Sequence, residues 1–347
     1  MKHPDIQPAN TLWPWYQPEA APHAFRAKDM QSAQDWQVLA RSALAETFGL
    51  ARFGRVPIDA HTVERIDRGT FVREKILLRT GPQTLMPVYI LHPKHVSKPA
   101  TVLAFAGHGY GVADIIGRWE DGSERTVPDG YHRDFGVALC HAGFTVVAPE
   151  ITCFGERTTD FAHLNRAMGQ QEPNPCHHTA MLAFHLGSSV PAMRVHDAIR
   201  LVDYLETRAD IDTDRLGAMG ISGGGMHTLF SAAVDTRIKA MVISGYVSNW
   251  RESIFAMHHC ACNVVPGMAA HGEMTDLLAL LAPRPLLIES GVQDPIFPIA
   301  SVRSATQQTM AHYAVFGASQ QVETDFFEGR HEIHGTAAYP FLARVLR

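Results

Sequence analysis

The chain has 347 residues, 46% of them hydrophobic and 19% charged, which suits one large α/β domain or two smaller ones. Thirty Lys and Arg against 35 Asp and Glu leave a formal charge of −5, so neither nucleic acid nor an electrostatically bound membrane is an expected partner. No apolar run approaches the roughly 20 residues that span a bilayer, Met1 to Pro8 lack a secretory apolar core, and five scattered cysteines point to reduced thiols in a cytoplasmic setting.

Residues 1–68 read as an N-terminal arm and helix packed on a body of residues 69–347. Pro4, Pro8, Pro14, Pro18 and Pro22 break up a stretch carrying Trp13, Trp15 and Tyr16. A helix is expected from Met30 to Leu50, with Trp36, Leu39, Ala40, Ala43 and Leu44 on its buried face. From residue 69 the pattern turns to strands: Thr70–Leu78 and Leu85–Leu91 flank Gly81-Pro82 as an antiparallel hairpin. Short apolar runs at 101–105, 144–148, 216–219, 240–243 and 285–288, and a mixed one at 322–327, read as buried parallel strands. Val195, Ala198, Ile199, Val202 and Leu205 fall on one helical face between them. The expected fold is α/β, a mostly parallel sheet with an antiparallel start and helices on both faces.

Gly220-Ile221-Ser222-Gly223-Gly224-Gly225 stands between the run Leu216–Met219 and a helical stretch Met226–Ala233. G-x-S-x-G alone is a weak signal. Between a buried strand and a helix it describes a tight turn that pushes a serine hydroxyl out at the sheet edge, beside helix N-terminal amides that favour an anion. A serine needs a base and an orienting carboxylate, expected later in the chain as acid and then histidine. Asp294, just beyond a strand, is preferred for the acid, with Glu289 as competitor; His331 is preferred for the base over His334. Oxyanion donors are expected from the Gly223 amide and from the loop Ala106–Gly111, where Tyr110 or Gly109 would present a second amide. His108 reads as a loop former.

On these residues, together with His108-Gly109-Tyr110-Gly111, Gly155-Glu156-Arg157, Ala282-Pro283-Arg284-Pro285 and Gly329-Arg330-His331-Glu332, the chain resembles the α/β-hydrolase superfamily. Within it, the chain is similar to bacterial esterases near the acetyl xylan esterase and dienelactone hydrolase groups. The resemblance spans roughly residues 69–346 and implies Ser222, Asp294 and His331 as nucleophile, acid and base, with a small acyl ester as substrate. Dienelactone hydrolases proper carry cysteine where this chain has Ser222.

Twenty histidines and the clusters Cys176-His177-His178 and His258-His259-Cys260-Ala261-Cys262 raise the question of a metal. Neither cluster offers two spaced pairs of the structural-zinc type, and adjacent residues diverge on a strand or helix, so no metal or cofactor is expected. The stretch 246–275 is read as an insertion walling the substrate pocket, with Trp250, Phe255 and His258 lining it and Trp119 on the far side. The expected function is serine ester hydrolysis. An amide hydrolase of oligopeptidase type and a silent scaffold remain as alternatives, and the aromatic arm leaves a homodimer open.

Overall fold

The computed structural model describes residues 6–162 and 174–347, so Pro4 of the expected arm lies outside the described residues. Among the described residues, nine strands form one sheet in the order β1-β2-β3-β5-β4-β6-β7-β8-β9. They are β1 Ala60–Asp67, β2 Phe71–Gly81, β3 Thr84–Pro93, β4 Ala100–Phe105, β5 Thr145–Pro149, β6 Asp212–Ile221, β7 Ala240–Ser244, β8 Leu286–Gly291 and β9 Val322–Phe327. From β1 through β3 to β5 the pairing is antiparallel, and from β5 to β9 it is parallel. The sheet begins at Ala60, inside the segment read as the arm. β1 carries no apolar alternation because it is an edge strand: His61, Thr62 and Val63 are exposed, and His61, Glu64 and Arg65 populate it.

Strand alternation supplies two cores. On β4, Leu103 and Phe105 face one side while Val102 and Ala104 face the other; on β6, Ala218 and Met219 divide likewise. The first core is closed by α1 (Met30–Thr47), α4 (Val190–Leu205), α5 (Gly223–Val234), α6 (Met274–Ala279) and α7 (Ile299–Val315), reached by Leu44, Leu201, Leu229, Leu277 and Val302. The second is closed by α2 (Phe135–His141) and α8 (Ala338–Val345) through Leu139 and Phe341. A further helix, α3 (Pro175–His185), packs in a small cluster with Ile151, Cys153 and Cys262. No described helix is long and apolar enough to cross a membrane.

The arm docks in cis. The Tyr16 hydroxyl donates to Glu273 at 2.5 Å, the Phe25 amide to Asp276 at 2.8 Å, and the Trp36 indole to the His23 carbonyl at 3.0 Å. On α1 the buried stripe is Ala33, Ala40 and Leu44, whereas Leu39, expected on that face, is 70% exposed. Leu39 sits one residue, about 100°, away from Ala40 around the helix, which turns it to solvent.

Candidate active site

β6 lies at the centre of the parallel half, and the chain leaves it through Ser222 into α5. Ser222 has φ 58° and ψ −124°, a strained conformation for a residue with a Cβ. The turn is tight enough to require glycine on both sides. A Cβ on Gly220 would stand 2.3 Å from the Gly224 carbonyl oxygen, and one on Gly224 would stand 1.9 Å from that of Phe105. The Ser222 amide donates to the Ser244 carbonyl at 3.0 Å, tying the turn to β7.

Ser222 and His331 line one cavity of about 250 Å³ together with Tyr131, His108, His258 and Phe297. His331 Nδ1 meets Asp294 Oδ2 at 2.6 Å, and the ring stacks on Phe297 with centroids 5.9 Å apart. Asp294 is buried, and its other oxygen accepts the amides of Ile296 at 2.7 Å and Phe297 at 3.1 Å. Both carboxylate oxygens are thereby committed, which fixes the carboxylate and, through it, the imidazole. His331 Nε2 is buried and has no hydrogen-bond partner among the described residues.

The competing residues stand elsewhere. Glu289 is fully buried, accepting Ser244 Oγ at 2.8 Å and the amides of His334 and Gly335 at 3.1 and 2.8 Å; burial raises its pKa. His334 is an exposed residue paired with Asp325 at 2.7 Å. Neither lines the cavity that holds Ser222.

The oxyanion expectation divides. Gly223 follows Ser222 and opens α5, where first-turn amides lack intrahelical partners. The Tyr110 amide, in contrast, donates to Asp114 Oδ2 at 3.1 Å, and the Tyr110 hydroxyl to the Arg118 carbonyl at 3.2 Å. Tyr110 is thus turned into the Asp114 and Arg125 network, a correction to its expected role: the 3₁₀ turn Val112–Ile115 brings a carboxylate under the loop that a run of glycines did not reveal. Tyr131, at the end of the loop that also carries Trp119, lines the Ser222 cavity. Its hydroxyl donates to the His108 carbonyl at 2.6 Å beside Ser222, and burial pushes its pKa up.

The pocket residues also separate. His258 lines the Ser222 cavity. Trp250 and Phe255 line a different one, of about 180 Å³, with Tyr16, because the insertion folds into 3₁₀ turns whose aromatics pack on the N-terminal arm: Phe255 and Tyr16 rings lie 5.4 Å apart. Trp119 lines a third cavity of about 720 Å³ with Tyr110. His108 and Cys260 border both this cavity and that of Ser222.

The argument from spacing did not anticipate one grouping. His108, Cys176, Cys260 and Cys262 each place one ligand atom within 4.8 Å of the others, drawing the two cysteine clusters and the β4 loop together. His108 is therefore more than a loop former: its Nε2 lies 3.1 Å from Cys262 Sγ. Hydrogen bonds with Cys176 and Cys260, with Arg194 and His108 close by, hold the Cys262 thiol well below its ordinary pKa. The sequence cues were Cys-x-Cys at 260–262 and the Cys176 cluster; the sequence did not show that they meet each other and His108 of the loop after β4.

Known proteins share this architecture. The chain is 26% identical over 273 residues to the hydrolase-named protein YtaP of Bacillus subtilis (strain 168), covering 76% of this chain and 84% of that one. A Bacteroides fragilis NCTC 9343 structure named as an acetyl xylan esterase superposes with a TM-score of 0.74 at 18% identity, over 94% of this chain and 84% of that one. A glucuronoyl esterase from Solibacter usitatus gives 0.62 at 17% identity, over 94% and 99%. Those two likenesses describe the fold. Residues 16–325 match the Abhydrolase_7 model, and with the serine elbow at the centre of a mostly parallel sheet the chain belongs to the Abhydrolase family.

Proposed function

We propose that the protein is a serine carboxylic ester hydrolase acting on small acyl esters. The observation that carries this reading is the shared cavity: Ser222 on its strained turn and His331, held by Asp294, line the same 250 Å³ space. Ser222 Oγ attacks the ester carbonyl while His331 Nε2 accepts its proton. The imidazolium, stabilised by Asp294, then protonates the leaving alcohol, and a water activated the same way cleaves the acyl-enzyme. The Gly223 amide at the head of α5 donates to the oxyanion, with the helix dipole adding to it. A cavity of this size, lined by His, Tyr and Phe side chains, favours a short acyl group. The names of both structural neighbours agree with ester hydrolysis, and that of the acetyl xylan esterase with a short acyl group.

The test is hydrolysis of p-nitrophenyl acetate and butyrate by wild type and Ser222→Ala. The expected result is acetate turnover that falls at least about a thousandfold in the variant. Unchanged turnover in Ser222→Ala sinks the mechanism. A matched anilide that is cleaved as fast as the ester would move the reading to an amide hydrolase.

A further inference from the structure

We propose that His108, Cys176, Cys260 and Cys262 form a tetrahedral zinc site that pins the insertion to the loop beside the nucleophile. The four ligand atoms, His108 Nε2 and three Sγ, lie within 4.8 Å of one another, and the His108–Cys262 pair is at 3.1 Å. Zinc bonded at about 2.3 Å to sulfur and 2.0 Å to nitrogen sets neighbouring ligand atoms about 3.5 to 3.8 Å apart, so the cluster needs only small shifts to close on the ion. Three thiolates with one imidazole are a soft, borderline donor set of the kind zinc occupies in structural sites. Cys262 is fully buried, Cys176 buried, and His108 and Cys260 half-buried, so the ion would be shielded on most sides.

A second observation points to negative charge at the cluster, as a set of metal-bound thiolates would carry. Arg194 on α4 is 1% exposed and surrounded by Cys262, Cys153 and Cys176, and its Nε and Nη1 have no hydrogen-bond partner among the described residues. Its other contacts are the Thr152 carbonyl at 3.1 Å and the Phe154 ring at 5.4 Å, neither of which carries a negative charge. A guanidinium stays protonated even when buried, and an uncompensated buried charge is costly. Three thiolates around a divalent ion carry a net −1, the charge that Arg194 balances.

The ligands come from three places: the loop after β4, the first turn of α3 and the insertion after β7. Four protein ligands complete the tetrahedron, which makes the role structural. His259, Cys260 and Asn263 of the insertion line the Ser222 cavity, and a Cβ on Gly223 would stand 3.3 Å from His108 Nδ1. The ion would therefore hold the pocket wall and the oxyanion edge in register. The inference does not rest on the esterase reading, because metal content is measured without turnover.

The experiment uses the untagged full chain, purified without chelator and passed through a desalting column after exposure to zinc sulfate. Elemental analysis is expected to find about one zinc per chain. A mercurial should release the zinc to a chromogenic chelator in step with the thiols it modifies, and cobalt(II) in its place should show the intense visible bands of a tetrahedral thiolate site. Cys262→Ser and Cys176→Ser should lose the metal at least tenfold, while Cys140→Ala and Ser222→Ala retain it. If the cysteine variants fail to fold, the wild-type zinc and thiol counts still decide. Wild-type protein that holds less than about a tenth of an equivalent after zinc exposure overturns the proposal, whether its thiols all react freely or mass spectrometry finds them as a disulfide.

Discussion

At the scale of single residues, Asp294 separates chemistry from scaffolding. Its two oxygens serve different partners, His331 on one side and the Ile296 and Phe297 amides on the other. Asp294→Asn keeps a side-chain carbonyl oxygen but removes the charge that favours the imidazolium, so kcat on p-nitrophenyl acetate should fall by about three to four orders of magnitude. Asp294→Ala should in addition lower stability by about 1–3 kcal/mol for each stranded amide, readable by urea denaturation. His334→Ala should leave kcat within about threefold of wild type, since His334 pairs with Asp325 outside the Ser222 cavity. A variant losing turnover as His331→Ala does would make His334 the base. The serine was legible from its neighbours in sequence because glycines on both sides serve a local steric need. The partner of the Tyr110 amide was not, since it depends on Asp114 lying beneath the loop.

At the scale of elements, α1 and α5 make the sharpest claims. Leu44 on α1 is fully buried against the first core, so Leu44→Ala should cost about 2–5 kcal/mol of unfolding free energy. Leu39→Ala, on a side chain 70% exposed, should stay within about 0.5 kcal/mol. Equal effects in chemical denaturation would mean that the helix packs by another face. Gly224→Ala forces a Cβ to 1.9 Å from the Phe105 carbonyl, a backbone atom that cannot yield cheaply. A loss of about 1–3 kcal/mol or more is expected, with a lowered melting temperature as its readout. Buried strands such as Val242–Ile243 announced themselves by unbroken apolar runs, whereas β1 did not, because an edge strand facing solvent needs no apolar face.

For the whole molecule, buried titratable groups set the response to acid. His227 is nearly fully buried on α5, stacked on Phe105, with Nε2 at 2.8 Å from the Arg194 carbonyl. Burial, helped by the Arg194 charge, pushes its pKa down to about 3 from 6.5. Between those values the unfolded chain binds a proton that the folded chain refuses, so this histidine's contribution to stability falls as pH drops below 6.5. The slope approaches about 1.4 kcal/mol per pH unit. Glu150, pushed up to about 8 by burial, acts in the opposite sense between pH 8 and its unfolded value, so the difference between two proteins is the clean readout. Unfolding free energy of wild type minus that of His227→Gln should decline as pH falls from 6.5 towards 4; a flat difference would mean that His227 titrates normally in the fold.

Local chemistry was enough to find what local chemistry demands. The elbow glycines, the apolar strands and the hairpin at Gly81-Pro82 each reflect constraints acting over a few residues, and each could be read along the chain. What depends on the strand order of the sheet could not. Trp250 and Phe255 face the arm rather than Ser222 because the insertion folds back on Tyr16. His108, Cys176 and Cys262 meet because the loop after β4, the first turn of α3 and the insertion after β7 come together. Ligands separated by tens of residues carry no spacing signal, so only the packing of one loop on another could assemble them.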